Sequence, residues 1–244
     1  MKYSILIITY FARFETWLKP LIQDIKRQRP EVEIILCVNG EKDYFDEDYR
    51  KNLLDFLKDY SNVFPTFYPR FRSIAKLWNL GVQFASNDTV LMLNDDLTLE
   101  NGFFDEYEQA LKDKSTFSIN ITSSAFSIYK YDLMDINWFD ERYLGIGWED
   151  ADVMDKYKKL KGLSEFPNVN IETCKNVVNP EFYKVHNEKL AEFIKNQTDN
   201  DRIAGQIKDK RFGRYSEFNR TLKLDNPQIQ YPYERFYLEN REKL

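Results

Sequence analysis

Four short apolar runs, each separated from the next by a stretch with helical period, constrain this chain more than any other feature. Tyr3–Tyr10 (YSILIITY) is apolar and β-branched, as a buried strand requires. Trp17, Leu18, Leu21, Ile22 and Ile25 then recur at helical spacing, with Thr16 as the expected N-cap. Val32–Val38 reads as a second strand, stopped by Asn39-Gly40, and Leu53, Leu54, Phe56, Leu57 and Tyr60 outline a second helix. Val63–Tyr68 reads as a third strand, and the prolines at 65 and 69 make it less central. Ser73 is placed to cap a helix carrying Ile74, Leu77, Trp78 and Val82, and Thr89–Leu93 (TVLML) reads as the fourth strand. Strands alternating with helices build right-handed βαβ units and a mostly parallel sheet. Ligands of such sheets bind beyond the carboxyl ends of the strands. That rule gathers Thr9–Arg13, Asn39–Glu41 and Asn94–Leu97 near one crevice.

The second half is less regular. Phe117–Ile121 and Ala125–Tyr129 read as strands around a Ser/Thr turn, and Val153, Met154, Tyr157 and Leu160 outline a helix that stops at Gly162. Further helices are expected over Glu188–Lys195 and Arg202–Lys210. With 40 acidic against 35 basic residues in 244, the net charge of −5 argues against a general nucleic-acid binder. No apolar run approaches the ~18 residues of a membrane span, and no signal peptide is expected at the N-terminus. Cys37 and Cys174 form no CxxC pair, and Cys37 sits in an apolar run as a buried thiol would. With a single histidine, His186, any metal site must lean on carboxylates, which selects hard ions such as Mg²⁺ or Mn²⁺.

Two acidic constellations carry chemistry. In Leu91-Met92-Leu93-Asn94-Asp95-Asp96 a strand ends in adjacent carboxylates, where a divalent ion could bridge to a diphosphate. A polar turn after a strand explains the same residues. In Gly145-Ile146-Gly147-Trp148-Glu149-Asp150-Ala151-Asp152 the glycines suit a tight loop, and Trp148 offers a flat face of the kind sugars stack on. Acids opening a helix also complement its dipole, but that does not explain Gly-Trp directly before Glu-Asp. A carboxylate there could take a proton from a hydroxyl.

The order of these pieces resembles the GT-A-fold, family-2-type glycosyltransferases. Among them it resembles the galactosyl-, N-acetylgalactosaminyl- and chondroitin-type enzymes with a Gly-Trp-x-Glu-Asp signature. The matching segments are Ser4–Tyr10, Ala75–Gly81 with Asn79-Leu80-Gly81, Asn94–Asp96, Phe139-Asp140-Glu141-Arg142, Gly147–Asp152 and His186, spanning about residues 3 to 190. The resemblance implies a Rossmann-like α/β fold, a mostly parallel central sheet flanked by helices. It implies a domain over about 1–195, with a nucleotide-binding half to about 100 and an acceptor half from about 101, followed by a helical extension over 196–244. By the same resemblance Asp96 and His186 hold Mn²⁺ or Mg²⁺. Thr9, Tyr10, Arg13, Asn39, Arg72, Lys76, Asn94 and Asp95 belong to the donor nucleotide site. Asp150 is the catalytic base, with Glu149 beside it, and Gly147, Trp148 and Glu149 meet the acceptor and sugar. The chain departs from the pattern at Asn94 and Asn39, where relatives carry acids, and at Trp78, where many carry Arg.

The activity expected is metal-dependent inverting transfer of a hexosyl or N-acetylhexosaminyl unit from a UDP-sugar to a glycan or lipid-linked acceptor, as in surface polysaccharide synthesis. A catalytically degenerate nucleotide- or carbohydrate-binding relative is the alternative. Thr9–Phe14 contains no glycine, which argues against a nucleotidyltransferase phosphate loop and a dinucleotide-binding turn. Lys208, Lys210, Arg211, Arg214 and Arg220 interleave with Phe212, Tyr215 and Phe218. They read as a solvated face or as a peripheral contact with an anionic membrane. The expected location is cytoplasmic, peripheral on the inner membrane face.

Overall fold

The computed structural model describes residues 2–10, 13–40, 47–69, 72–141, 143 and 148–176. Gly147, His186 and the helices expected beyond residue 176 lie outside the described residues. The chain divides into two compact units, one of Met1–Phe71, Leu80–Asp132 and Glu165–Val178, the other of Arg72–Asn79, Leu133–Ser164 and Asn179–Leu244.

The first unit holds the strands. β1 (Ser4–Thr9), β2 (Glu33–Val38), β3 (Val63–Phe67) and β4 (Thr89–Asn94) run parallel. β6 (Phe117–Ile119) and β7 (Thr122–Tyr129) form an antiparallel pair, and β8 (Asn168–Val169) extends the sheet to seven strands in the order β3-β2-β1-β4-β7-β6-β8. β5 (Leu97–Leu99) and β9 (Cys174–Asn176) make a separate two-stranded ribbon. This is the expected α/β sheet. β3, with Pro65 inside it, lies at the edge, where a missing N–H costs no ladder bond.

β1 is buried throughout because both of its faces are covered. Ile5 and Ile7 join a core with Leu21, Ile22 and Ile25 of α1 (Lys19–Gln28), Tyr49, Leu53 and Leu57 of α2 (Glu47–Leu57), and Phe103, Phe104 and Tyr107 of α4 (Phe103–Ala110). Leu6 points the other way, as strand alternation demands. Gly81, in the part of α3 (Ile74–Phe84) that belongs to this unit, meets it there. A Cβ at 81 would stand 2.2 Å from Leu6 Cδ1, so only glycine fits without movement. Cys37 is buried as expected, and desolvation pushes its thiol up to about 12.

Three local expectations are corrected. Thr16 does not cap the first helix; it lies inside a π-helical turn, Phe14–Leu18, and α1 starts after Leu18. The first of the two later strands ends at Ile119, and the turn falls on Asn120-Ile121, both at positive φ (57° and 58°). The Ser/Thr run lies within β7 instead. Asn168 Oδ1 accepts the Ile121 N–H, while the Asn120 amide binds backbone atoms of Ile171 and Cys174, so side-chain bonds hold a turn that an aliphatic residue disfavours.

The second unit contains the first residues of α3, the end of α5 (Lys130–Asp135) and α6 (Glu149–Lys161). Ser73 caps α3 as expected, its Oγ accepting the Lys76 N–H. α6 closes at Gly162, which adopts the left-handed conformation of a helix C-cap.

Candidate functional site

In the first unit, parallel register brings the carboxyl ends of three strands together. Thr9 pairs with Val38 and Ile8 with Asn94, so Thr9, Asn39 and Asn94–Asp96 share one edge. The Asn39 N–H donates to the Thr9 carbonyl at 2.7 Å. Asp95 is 3% exposed and both its oxygens are engaged. Oδ2 accepts the Thr9 hydroxyl at 2.7 Å, and Oδ1 accepts Arg13 Nε at 2.6 Å. Arg13 Nη2 reaches Asp96 Oδ2, also at 2.6 Å, so one guanidinium forks across both carboxylates. Its Cζ lies 4.2 Å from the Trp17 ring centre and 5.9 Å from that of Tyr10. The π-helical turn thus has a use: it carries Trp17 under the guanidinium.

The charges follow from this packing. Burial pushes the Asp95 carboxyl up to about 6, against the lowering pull of Arg13 and Thr9. Burial also pulls Arg13 down, but Asp95 and Asp96 outweigh it and hold the guanidinium firmly charged. The Tyr49 hydroxyl is pushed up by burial and then by the Asp95 charge. Thr9, Tyr10, Arg13, Asn39, Asn94, Asp95 and Asp96 are therefore gathered as the sequence predicts. The sequence did not predict that Arg13 would straddle the acidic pair, or that Tyr49 would lie beside it.

Asp96 is the more accessible acid, with 23% of its side chain exposed. Mg²⁺ and Mn²⁺ sites commonly use one or two carboxylates and complete the shell with phosphate oxygens and water. Asp96 fits that pattern as a single hard ligand. Among the described residues no cluster of three or more His, Cys, Asp or Glu could hold an ion without such outside ligands.

In the second unit, two of the motif segments bond to each other. Asn79, fully buried, donates from Nδ2 to the Phe139 carbonyl at 3.0 Å and to Glu141 Oε1 at 2.9 Å. Its Oδ1 accepts the Phe139 N–H at 3.0 Å. Asp140 and Glu141 are buried with it. Arg72 and Lys76 precede Asn79 in this unit, and Lys76 is buried. Trp138 and Trp148, on either side of the 139–147 stretch, both adopt positive φ (65° and 73°). Bulky side chains rarely take that conformation, and it costs about 1–3 kcal/mol where surroundings enforce it. Trp148 keeps 39% exposure. Glu149 and Asp150 open α6 as expected; Glu149 is buried, and Asp150 Oδ1 accepts the Ala151 N–H at 2.7 Å.

The model for glycosyl transferase family 2 matches residues 4–176. The chain belongs to this family. The crystal structure of S. aureus TarS 1–349 in complex with UDP is similar at 16% identity and a TM-score of 0.57, covering 76% of this chain and 63% of that one. Mannosyltransferase PcManGT from Pyrobaculum calidifontis, in complex with GDP-Man and Mn²⁺, is similar at 10% identity and a TM-score of 0.57, covering 75% and 59%. The 4-diphosphocytidyl-2C-methyl-D-erythritol synthase of Anaerococcus prevotii matches at 15% identity and a TM-score of 0.50, covering 78% and 99%. Likeness at these identities shows the shared fold. The chain spans about three fifths of the TarS and PcManGT chains. No curated protein matches the sequence. Among the described residues no helix is long and apolar enough to cross a membrane.

Proposed function

We propose that this chain is a metal-dependent inverting glycosyltransferase. It moves a hexosyl or N-acetylhexosaminyl unit from a UDP-sugar to a hydroxyl of a glycan or lipid-linked acceptor. The observation that carries the reading is the pair of buried Asp95 and more accessible Asp96 at the carboxyl end of β4, clasped by Thr9 and Arg13, in a family 2 domain. Similar structures hold UDP in one case and GDP-Man with Mn²⁺ in the other, which supports a nucleotide-sugar donor and a divalent ion.

The roles divide as follows. Thr9, Tyr10, Asn39, Asn94 and Asp95 shape the nucleotide site, within a donor half of about residues 1–100, and Arg13, Arg72 and Lys76 supply cations toward the diphosphate. Asp96, with His186, would hold Mn²⁺ or Mg²⁺. When bound, the ion neutralises charge that builds on the departing diphosphate. Trp148 stacks on the sugar, beside Gly147 and Glu149. Asp150 accepts the proton of the acceptor hydroxyl while that oxygen forms a bond to the anomeric carbon. The bond to UDP breaks on the opposite face, and UDP leaves with the electron pair. The Ala151 N–H, by binding Oδ1, fixes the direction of the Asp150 carboxylate. The Gly147-Trp148-Glu149-Asp150 run, one residue shorter than the Gly-Trp-x-Glu-Asp signature it resembles, favours galactosyl, N-acetylgalactosaminyl or chondroitin-type chemistry in surface polysaccharide synthesis. The setting is the cytoplasmic face of a membrane, met through the basic and aromatic C-terminal stretch.

The test is release of UDP from a panel of UDP-sugars with Mn²⁺, with and without candidate acceptors. General base catalysis contributes about 10²–10⁴ in rate, so Asp150→Asn should lose that much turnover and still bind UDP. Near-normal turnover by Asp150→Asn removes the assigned base. Binding of UDP without release from any donor favours a degenerate binding relative.

A further inference from the structure

Arg13 does more in this structure than a nucleotide contact needs. Nε and Nη2 sit 2.6 Å from Asp95 Oδ1 and Asp96 Oδ2 respectively. The Arg13 side chain is 16% exposed and its Cζ lies 4.2 Å from the Trp17 ring centre, so it is held at the pair and does not sample solvent freely. Asp95 cannot release it easily, since a buried carboxylate without a cation is costly. Asp96 is different: it is more exposed, and it is the carboxylate proposed to ligate the divalent ion.

We infer that Arg13 is a resident counter-ion that competes with the divalent cation for Asp96 and, once displaced while Nε stays on Asp95, offers Nη2 to the donor diphosphate. This rests on the nucleotide-sugar reading above. Two consequences follow. An ion arriving alone must break a charge-assisted hydrogen bond, which corresponds to a loss of about ten- to a hundredfold in affinity. A diphosphate arriving with the ion gives the displaced guanidinium a new anion, so the loss is recovered. Ion and nucleotide therefore bind synergistically, and the coupling is reciprocal. Arg13 makes the site selective for the ion–nucleotide pair over either component.

The experiment is calorimetric titration of Mn²⁺ with and without UDP, and of UDP with chelator, on the full chain and on Arg13→Met and Arg13→Lys. In the wild type, UDP should tighten Mn²⁺ binding by about ten- to a hundredfold. Arg13→Met should bind Mn²⁺ alone about tenfold more tightly than wild type, bind UDP in chelator more weakly, and lose most of the synergy. Arg13→Met strips the buried Asp95 of its cation, and a far-ultraviolet spectrum reports whether it folds. If it does not, Arg13→Lys decides, because a lysine ammonium can keep Asp95 without forking to Asp96, and its Mn²⁺ affinity should rise likewise. Mn²⁺ affinity equal to or below wild type in the folded variant overturns the inference, as does a wild type that binds UDP but no Mn²⁺. A wild type that binds neither UDP nor GDP, with or without Mn²⁺, overturns the nucleotide-sugar reading itself, and the inference with it.

Discussion

Asn79→Asp changes one amide group for a carboxylate of the same shape and tests how the motif segments hold each other. In the native protein Asn79 Nδ2 donates to the Phe139 carbonyl and to Glu141 Oε1, and all three residues are buried. The substitution keeps the acceptor that binds the Phe139 N–H. It replaces the donor with an oxygen facing a carbonyl and a carboxylate. Two carboxylates in contact in a buried site cannot both ionise, so the folded variant must hold one proton. The unfolded chain releases that proton near pH 4, so keeping it costs about 1.4 kcal/mol for each pH unit above that value. The loss of stability relative to wild type is then about 3 kcal/mol at pH 6 and about 5–6 kcal/mol at pH 8. The sign follows from linkage. The folded pKa of the shared site is raised, so stability is fullest below the unfolded pKa and falls as pH rises toward the folded one. Urea unfolding at pH 6 and pH 8, followed by tryptophan fluorescence, measures the difference. Adding Glu141→Gln restores a donor opposite the new carboxylate and should recover most of the loss at pH 8. An equal loss at both pH values, or a double variant no better than the single one, refutes the reasoning.

Gly81→Ala should destabilise by about 1–3 kcal/mol through overpacking against Leu6, partly offset by about 1 kcal/mol of helix propensity; Leu6→Ala in the same chain should reverse the sign of the Gly81→Ala effect, as urea midpoints will report. Thr9→Val keeps the volume but removes a buried hydrogen bond to a charged carboxylate, and should lower stability by about 1.5–3 kcal/mol in thermal unfolding.

β1, β2 and β4 were legible because each is buried along nearly its whole length and so reads as an apolar run. Pro65 announced an edge strand for a reason the sheet makes plain, the missing N–H. The Asn120-Ile121 turn was not legible. Ile carries no turn signal, and the bonds that hold it come from Asn168, Ile171 and Cys174, about fifty residues away. The Ser/Thr run drew the expected turn to itself, although such residues also suit a strand facing polar neighbours. α4 was missed because Phe103, Phe104 and Tyr107 begin it directly after a loop glycine and before an irregular stretch. The acidic pair and the Glu149-Asp150 helix start were readable from position along the chain. The reach of Arg13 was not, since sequence gives the charge of a long side chain but not which carboxylate it grips. Positive φ at Trp148 was hidden by neighbouring glycines, which looked sufficient to make the tight loop alone.

Thermal unfolding with UDP, comparing added Mn²⁺ with added chelator, tests the central claim most directly. A ligand at a hundred times its Kd stabilises by about 2.7 kcal/mol, or about 5–10 °C for a chain of this size. The account predicts that shift with UDP and Mn²⁺ together, a much smaller one with UDP and chelator, and its loss in Asp96→Ala. No shift with UDP in either condition, nor with GDP tried the same way, contradicts a nucleotide-sugar site on this family 2 fold.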